Sequence, residues 1–252
     1  SKPITYKSKA LAEKLGLSNL YITFNGYYPE IGATMRTCSF KETEAYSICA
    51  RLGEDRKDDV IVVSSAGNTA RAFAQVCSDN DIKLLLTIPE DNLDALWFEK
   101  PLNPCVKVIA TKSGSDYFDA INLGNIVCEL DGFFAEGGAK NIARRDGMAT
   151  TMLSATTFIG RIPDYYFQAV GSGTGAIAAW EANLRFLEDG RYGNHKAKIY
   201  VSQNRPFVPM YDAWKQDSRE MLPYDNDQAR LDANSVIAKV LTNRKPPYSI
   251  AG

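Results

Sequence analysis

The sequence predicts an α/β fold with two doubly wound, mostly parallel sheet domains, because apolar β-rich runs alternate with segments of helical period. Runs such as "VIVV" and "KLLL" are continuously apolar, as in strands that are covered on both faces. The predicted strands span residues 58–65, 82–89, 105–112, 164–170 and 197–204. The predicted helices between and after them span residues 69–80, 94–100, 116–130 and 174–189. This regular alternation favours parallel pairing of the strands.

A cluster of glycines in "GFFAEGGAKN" (132–141) marks a possible boundary between two structural units. We expect residues 54–137 to form a smaller α/β domain. Residues 1–53 and 138–252 would form a larger domain, with a cleft between the two. The chain starts without Met and stops at "PPYSIAG", where "YSI" reads as the start of a strand or turn, so we also expect an incomplete chain.

The composition is that of an ordinary soluble globular protein, with 252 residues, 45% hydrophobic and 23% charged. A net charge of −1 and a pI of about 6.0 give no electrostatic indication of nucleic-acid or anionic-membrane binding. No apolar run approaches the length of a membrane span, and the N-terminus lacks the order of a signal peptide. These observations predict a cytoplasmic protein with neither nucleic-acid nor membrane partners.

The cysteines and the histidine exclude several classes of site. The five cysteines are dispersed, without a C-x-x-C pair, which argues against a disulfide framework or a zinc site and for a reducing compartment. No metal site is predicted. The single histidine, His195, lies in the polar loop "GRYGNHKAK", so a histidine-based catalytic triad is nearly excluded.

A lysine occupies an unfavourable position in "CSFKETEAYSICARLG" (38–53). Ser39 and Glu42 match a capping box, which predicts Ser39 as the N-cap and places Lys41 in the first helical turn. The helix dipole disfavours a cation there. The residues that share the face of Lys41 at helical spacing are Ala45, Ile48 and Leu52. Lys41 is therefore expected on a buried apolar stripe, unless its side chain extends out to solvent.

The loop "GSGTG" follows the predicted strand 164–170 and precedes a helix. Its residues are Gly171, Ser172, Gly173, Thr174 and Gly175. Glycine-rich backbone at a helix N-terminus binds anions such as phosphate. The loop lacks the Gly-Lys-Ser/Thr of a Walker A motif. It matches a dinucleotide pattern through Ala176, but the next strand ends in "VSQN", without the acid that binds a ribose. A phosphate site without a dinucleotide is favoured over a ligand-free structural turn.

A second loop, "SSAGNTARA" (64–72), lies between a predicted strand and a helix. Its polar residues could simply cap that helix. They could also form a cradle of donors, around Gly67, for a carboxylate or a ring oxygen. The loop alone does not decide between these alternatives.

Taken together, the lysine and the two loops indicate a cofactor. A lysine that is desolvated near a helix N-terminus has a lowered pKa and is a better amine nucleophile. An imine with an aldehyde also removes the unfavourable charge. With a phosphate-binding loop and no available histidine, the best account is a phosphorylated aldehyde cofactor, pyridoxal 5'-phosphate.

The motifs "SFK", "SSAGNTA" and "GSGTG" occur in the order and spacing of the fold-type II pyridoxal-phosphate enzymes, and the chain resembles this family over essentially its whole length. The family includes threonine synthase, cysteine synthase and the tryptophan synthase β chain. The resemblance implies a cofactor in the cleft between two domains. It makes Lys41 the lysine bonded to the cofactor and places Asn68 at the pyridine hydroxyl oxygen. It also assigns the cofactor phosphate to residues 171–175 and the substrate carboxylate to Ser65, Gly67 and Thr69.

Within this family, the segments "YITFNGYYPEIGATMRTCSFKETEA" and "EGGAKNIARRDGM" are most similar to the cysteate synthases, relatives of threonine synthase. Threonine synthases read closer to "NPTGSFKDRG". In this sequence Cys38 replaces the glycine that precedes "SFK" in that motif, and Glu42 and Thr43 replace Asp-Arg.

The resemblance implies β-replacement on O-phospho-L-serine with sulfite, giving L-cysteate and phosphate for coenzyme M biosynthesis, in a homo-oligomer. Alternatives are threonine synthase acting on O-phosphohomoserine, a related β-replacing or eliminating enzyme, and a non-enzymatic module that binds a small ligand. The candidate cations for the two anionic substrates are Arg36, Arg71, Lys140, Arg144 and Arg145. For each of these a surface salt bridge is the alternative role.

Overall fold

The computed structural model describes residues 1–238, 241 and 242, and in this part of the chain strands and helices alternate as the sequence predicts. The strands are β1 (Ile4–Lys7), β2 (Tyr21–Phe24), β3 (Tyr27–Tyr28), β4 (Ala33–Thr34), β5 (Val60–Ser64), β6 (Leu84–Pro89), β7 (Val106–Thr111), β8 (Phe133–Ala135), β9 (Tyr165–Ala169) and β10 (Lys198–Ser202). The helices are α1 (Ala10–Leu15), α2 (Lys41–Cys49), α3 (Asn68–Asp79), α4 (Tyr117–Val127), α5 (Ile142–Ile159), α6 (Thr174–Asp189), α7 (Pro209–Lys215) and α8 (Asn226–Ser235).

The main sheet has four parallel strands in the order β7–β6–β5–β8. Its central strands are the most apolar runs of the sequence, and every residue of β6 is buried. Burial on both faces explains why these runs do not alternate between apolar and polar residues. The predicted strands at 58–65, 82–89 and 105–112 are confirmed in this sheet.

Strand β8 was not predicted. It lies in the segment 132–141, which the sequence analysis treats as a boundary, and Phe133 and Phe134 pair with Val60 and Ile61 of β5. Only three residues long, β8 is too short to show a period of its own, and its pairing depends on β5.

The remaining strands form three pairs. Strands β9 and β10 are parallel, with Phe167 opposite Tyr200, and confirm the predicted strands at 164–170 and 197–204. The pairs β1–β2 and β3–β4 are antiparallel. The α/β fold class with mostly parallel sheets is confirmed.

The predicted helices are confirmed at three of four places, and helix α6 has the predicted bounds, 174–189. The helix predicted at 94–100 is wrong. A 3₁₀ helix spans Glu90–Ala95 instead, and the chain after it is irregular. There the guanidinium of Arg71 lies 4.3 Å from the ring centroid of Trp97, so a tertiary contact fixes this segment. No helix in the described residues is long and apolar enough to cross a membrane.

Helix α2 packs against both α3 and α5. Its residues Ala45 and Ile48 belong to the buried cluster around Phe73, which includes β5, β6 and α3. The prediction that this face of α2 is buried is thus confirmed at both positions. The other face of α2 packs against α5. The core of the four-stranded sheet therefore includes a helix from the segment 1–53, and the predicted bounds of the two domains stay a prediction.

Helices α2 and α5 touch at Gly147, where the backbones approach each other closely. A Cβ atom built on Gly147 would lie 2.3 Å from the carbonyl oxygen of Thr43 and 2.7 Å from the Cα of Glu44. These distances are far shorter than a van der Waals contact, and both atoms belong to rigid helical backbone. Only glycine fits here, so Gly147 sets the separation of the two helices.

We expect Gly147→Ala to destabilise the protein by about 1–3 kcal/mol, because the added methyl group must push α5 away from α2. In an open helix the same change would stabilise by up to ~1 kcal/mol, so the sign of the effect tests the contact. Denaturant unfolding measures it. Thr157→Ala, on an exposed part of α5, is the matched control and should stay within about 0.5 kcal/mol of the wild type. Equal or greater stability of Gly147→Ala would contradict the close approach.

Candidate active site

A single cavity brings together the residues that the sequence analysis selected. It lies at the carboxyl ends of β5 and β9, where ligands bind in open α/β sheets. Its lining consists of Phe40, Lys41, Ser65, Ala66, Asn68, Thr69, Tyr117, Arg144, Gln168, Ala169, Val170, Gly171, Ser172, Gly173, Thr174, Gly175, Leu241 and Thr242. All predicted site residues except Gly67 are in this lining. Gly67 lies between the lining residues Ala66 and Asn68 and is the N-cap of α3.

Lys41 is the first residue of α2. The predicted capping box between Ser39 and Glu42 is wrong, because both side chains bond to other groups. The N-cap is Phe40 rather than Ser39, and no side chain caps the helix from that position. The hydroxyl of Ser39 accepts a hydrogen bond from the N–H of Lys41 at 3.3 Å. Glu42 reaches back further than a capping box requires and accepts from the N–H of Thr37 at 2.8 Å. The side chains of Ser39 and Glu42 therefore fix the chain at the start of α2.

The amine of Lys41 lies in a desolvated position. Its side chain is 16% exposed, and Nζ lies 4.5 Å from the ring centroid of Phe40. Burial lowers the pKa of Lys41 from 10.5 to about 8, the nearby Glu44 opposes this shift, and the charge of Arg144 adds to it. A lysine with this pKa is a useful nucleophile and base near neutral pH.

Beside Lys41 lies a group of buried charges that the sequence analysis did not identify as a unit. An oxygen of Glu44 is 3.6 Å from Nζ of Lys41, and its other oxygen is 2.9 Å from Nε of Arg144. Arg144 also pairs with Glu136, which follows β8. The spacing of Lys41 and Glu44, three residues apart on one helix, could have indicated the first contact. No local pattern predicts the contacts with Arg144 and Glu136, which lie about 100 residues further along the chain.

The glycine loop forms the N-terminal end of α6. Gly173 is the N-cap and has a φ of 84°, a left-handed conformation that favours glycine. The first N–H groups of a helix have no partner within the helix, so those of Thr174 and Gly175 are available to an anion. The hydroxyls of Ser172 and Thr174 lie 2.9 Å apart and hydrogen-bond to each other.

The other glycines of this loop are sites of close packing. A Cβ atom on Gly175 would lie 2.1 Å from Nε2 of Gln168 and 3.1 Å from the ring of Phe40. A Cβ atom on Gly171 would lie 3.2 Å from the carbonyl carbon of Leu241. Glycine at these two positions therefore lets Gln168, Phe40 and Leu241 pack directly against the backbone of the loop.

The second loop leads from β5 into α3. Ser65 accepts a hydrogen bond from the N–H of Gly67 at 3.1 Å, and no side chain caps α3 from the N-cap position. The role of these polar residues in ligand binding stays a prediction. The amide oxygen of Asn68 accepts from Arg71 at 3.2 Å, which holds the side chain of Asn68 at the edge of the cavity.

Of the five candidate cations, only Arg144 lines the cavity. Arg36 pairs with Asp79 and Arg145 with Glu181, as the salt-bridge alternative predicts. Arg71 donates to the carbonyl oxygen of Thr37 at 2.5 Å, and Lys140 is exposed. Among the described lining residues, the cationic groups are thus Lys41 and Arg144.

The arrangement fits pyridoxal phosphate. Within the described residues the cavity combines a primary amine of lowered pKa, a glycine-lined helix N-terminus for a phosphate, and the amide side chain of Asn68. The amide oxygen of Gln168, beside Gly175, is buried without a hydrogen-bond partner among these residues. That orphaned acceptor also indicates a site for a polar ligand.

Comparison with known proteins gives the same result. A family model described as "Pyridoxal-phosphate dependent enzyme" matches residues 6–243. The chain is 50% identical over 251 residues to a cysteate synthase of Methanosarcina acetivorans, covering 99% of this chain and 60% of that protein. It is 51% identical over 252 residues to a cysteate synthase of Methanosarcina mazei, with coverage of 99% and 60%, respectively. The chain thus spans about 60% of the length of these curated relatives.

Solved structures with low sequence identity share the fold. Threonine deaminase isoform 2 from Solanum lycopersicum superimposes with a TM-score of 0.68 at 17% identity, over 98% of this chain and 62% of that one. Maize serine racemase superimposes with a TM-score of 0.65 at 14% identity, over 99% of this chain and 69% of that one. The matched family model covers nearly all of the sequence, and the cavity holds the groups that its cofactor requires. The chain belongs to the family of pyridoxal-phosphate dependent enzymes.

Proposed function

We propose that the protein catalyses β-replacement on O-phospho-L-serine, with sulfite as the nucleophile, to give L-cysteate and phosphate. The main support is the position of Lys41, whose amine of lowered pKa lines one cavity with the glycine loop at α6 and the polar loop at α3. The identity of about half to cysteate synthases, over 99% of this chain, supports the choice of substrates. The product would then serve coenzyme M biosynthesis.

Three groups of residues would hold the cofactor. Lys41 would bond to its aldehyde carbon, Asn68 would donate to its hydroxyl oxygen, and the N–H groups of residues 171–175 would bind its phosphate. Pyridoxal phosphate supplies an electron sink that stabilises negative charge on the α-carbon of a bound amino acid. The family pattern also has a C-terminal hydroxyl residue at the pyridine nitrogen, and no position of this chain matches it.

Ser65, Gly67 and Thr69 would bind the carboxylate of the substrate. Ser65 and Thr69 are buried, so their hydroxyls and the backbone N–H groups act where water competes little. This binding would fix the α-carbon against Lys41. Orientation of this kind contributes a large share of enzymatic rate enhancement.

Lys41 would move the proton. Its neutral Nζ would take the proton from the α-carbon of the substrate, and the resulting ammonium would return it to the same carbon after sulfite has added. A base with a pKa near the working pH serves both steps, because it neither holds nor releases the proton too strongly. Arg144, the other described cation in the lining, would contribute positive potential for the anionic substrates.

The homo-oligomer and the cytoplasmic location stay predictions that rest on the resemblance and the composition. Membership of an enzyme family counts against the non-enzymatic module. Threonine synthase remains the enzymatic alternative, and its substrate tests the proposal directly.

Replacing the lysine tests its role. Lys41→Ala should keep the fold, measured by circular dichroism, and lower turnover by at least about 10²–10⁴-fold, the range for loss of a catalytic acid–base group. Borohydride reduction of the wild-type protein with pyridoxal phosphate should place the label on the peptide that contains Lys41. Lys140→Ala removes an exposed lysine outside the cavity and should change neither result. Label on another lysine would overturn the assignment.

Substrate specificity separates the two synthase alternatives. Phosphoserine with sulfite should yield cysteate and an equal amount of free phosphate, measured by chromatography and a phosphate assay. Phosphohomoserine should yield no threonine, since Cys38, Glu42 and Thr43 depart from the threonine synthase motif. Formation of threonine at a comparable rate would identify the protein as the other synthase.

The lowered pKa of Lys41 predicts how cofactor uptake depends on pH. Only the neutral amine attacks the aldehyde, and with a pKa of about 8 roughly a tenth of it is neutral at pH 7 and about nine-tenths at pH 9. The rate of uptake, followed by the long-wavelength absorbance band, should rise with pH through a midpoint near 8 and then level off. A rate that still rises at the ordinary lysine value of 10.5 would contradict the desolvated position of Lys41.

A further inference from the structure

Glu44 is a fully buried carboxylate, with 0% of its side chain exposed, in the same helical turn as Lys41. It lies between two cations from different elements, Lys41 of α2 and Arg144 of α5. In the threonine synthase motif "SFKDRG", the corresponding position is a glycine. The reaction proposed above assigns no role to this carboxylate.

We propose that Glu44 is the positioning residue of Lys41: its carboxylate holds Nζ at the cavity and stabilises the protonated form of that amine. The inference rests on the proposed function for the use of Lys41, whereas the pairing itself is a property of this chain. Glu44 touches Lys41 rather than the substrate side of the cavity, so it acts through the lysine.

The geometry supports this role because each oxygen of Glu44 faces a different cation. Oε2 lies 3.6 Å from Nζ of Lys41, and Oε1 lies 2.9 Å from Nε of Arg144. Arg144 is held in turn by Glu136. With one oxygen paired to Arg144, the buried carboxylate of Glu44 directs its other oxygen toward Lys41, where it stabilises an ammonium.

Four charged groups determine the charge balance at this position. Burial lowers the pKa of Lys41 and raises that of Glu44. The carboxylates of Glu44 and Glu136 raise the pKa of Lys41, and the cation Arg144 lowers it. Without Glu44, burial and Arg144 would disfavour the ammonium of Lys41, and only the weaker effect of Glu136 would oppose them. Lys41 could then take a proton from the substrate only at a higher free energy.

Glu42 provides a matched control in the same turn. It is also buried, with 2% exposed, but its carboxylate accepts from the N–H of Thr37 and makes no ion pair with Lys41. Glu42→Gln and Glu44→Gln therefore remove the same charge from neighbouring buried positions. Only Glu44→Gln should change the pH midpoint at which Lys41 titrates.

The titration can be followed without the cofactor. Lysine labelled with ¹³C at Cε gives an NMR signal for Lys41, assigned by its loss in Lys41→Ala, whose shift with pH reports the pKa of the amine. Glu44→Gln should lower the midpoint by about one unit or more, the size of shift that a close charge causes. Arg144→Gln should raise it, Glu44→Asp should keep it near the wild-type value, and Glu42→Gln should leave it unchanged.

If charge determines the pKa of Lys41, its titration midpoint should shift in opposite directions in Glu44→Gln and Arg144→Gln. A loosened fold would not produce opposite shifts. A midpoint in Glu44→Gln equal to that in the wild type would overturn the inference, as would shifts of the same sign in the two variants. If Glu44→Gln does not fold, Glu44→Ala is measured in its place, and a midpoint equal to that in the wild type overturns the inference. The midpoint of cofactor uptake should move with the NMR midpoint. If the wild type takes up no pyridoxal phosphate while the NMR shifts appear, the proposed function fails and the pairing stands.

Discussion

The burial of the first turn of α2 is the constraint on which the rest of the site depends. Of the three charged residues there, Glu42 and Glu44 are buried and Lys41 is only 16% exposed, and α5 approaches this turn to within backbone contact at Gly147. A charge removed from water requires a partner, and each of these has one. Glu42 holds the chain before the helix, and Glu44 joins α2 to Arg144. The close packing of two helices thus determines which side chains from distant segments must meet.

The same burial explains the chemistry of the cavity. Desolvation lowers the pKa of Lys41, and the carboxylate beside it limits that shift, so that the value is about 8 rather than far lower or the ordinary 10.5. The two loops supply the other requirement, because the carboxyl ends of β5 and β9 bring N–H groups and hydroxyls to one side of the lysine. An amine with an intermediate pKa beside anion-binding backbone is the combination that pyridoxal-phosphate chemistry needs.

The sequence predicted those parts of the fold and the site that depend on local patterns. The apolar strands, the glycine loop before α6 and the buried face of α2 each follow from a run or a spacing that one segment contains. The prediction failed where a distant segment decides the structure. Strand β8 exists because β5 pairs with it, the segment at 94–100 is held by Arg71 through Trp97, and Glu42 bonds to Thr37 rather than completing a capping box. The contact of Glu44 with Arg144 belongs to the same class.

The replacement of glycine by Cys38 shows how such distant contacts compensate for a local departure. Cys38 has a φ of 51°, in the left-handed region where glycine costs little and other residues cost of order 1–3 kcal/mol. Such a conformation persists only when its surroundings fix it. Here the preceding residue, Thr37, is held on both sides, because its N–H donates to Glu42 and its carbonyl oxygen accepts from Arg71. The path of the chain into Lys41 is therefore set by Glu42 and Arg71 and not by the residue at position 38. It follows that the chain can lead into Lys41 in the same way although position 38 is not glycine.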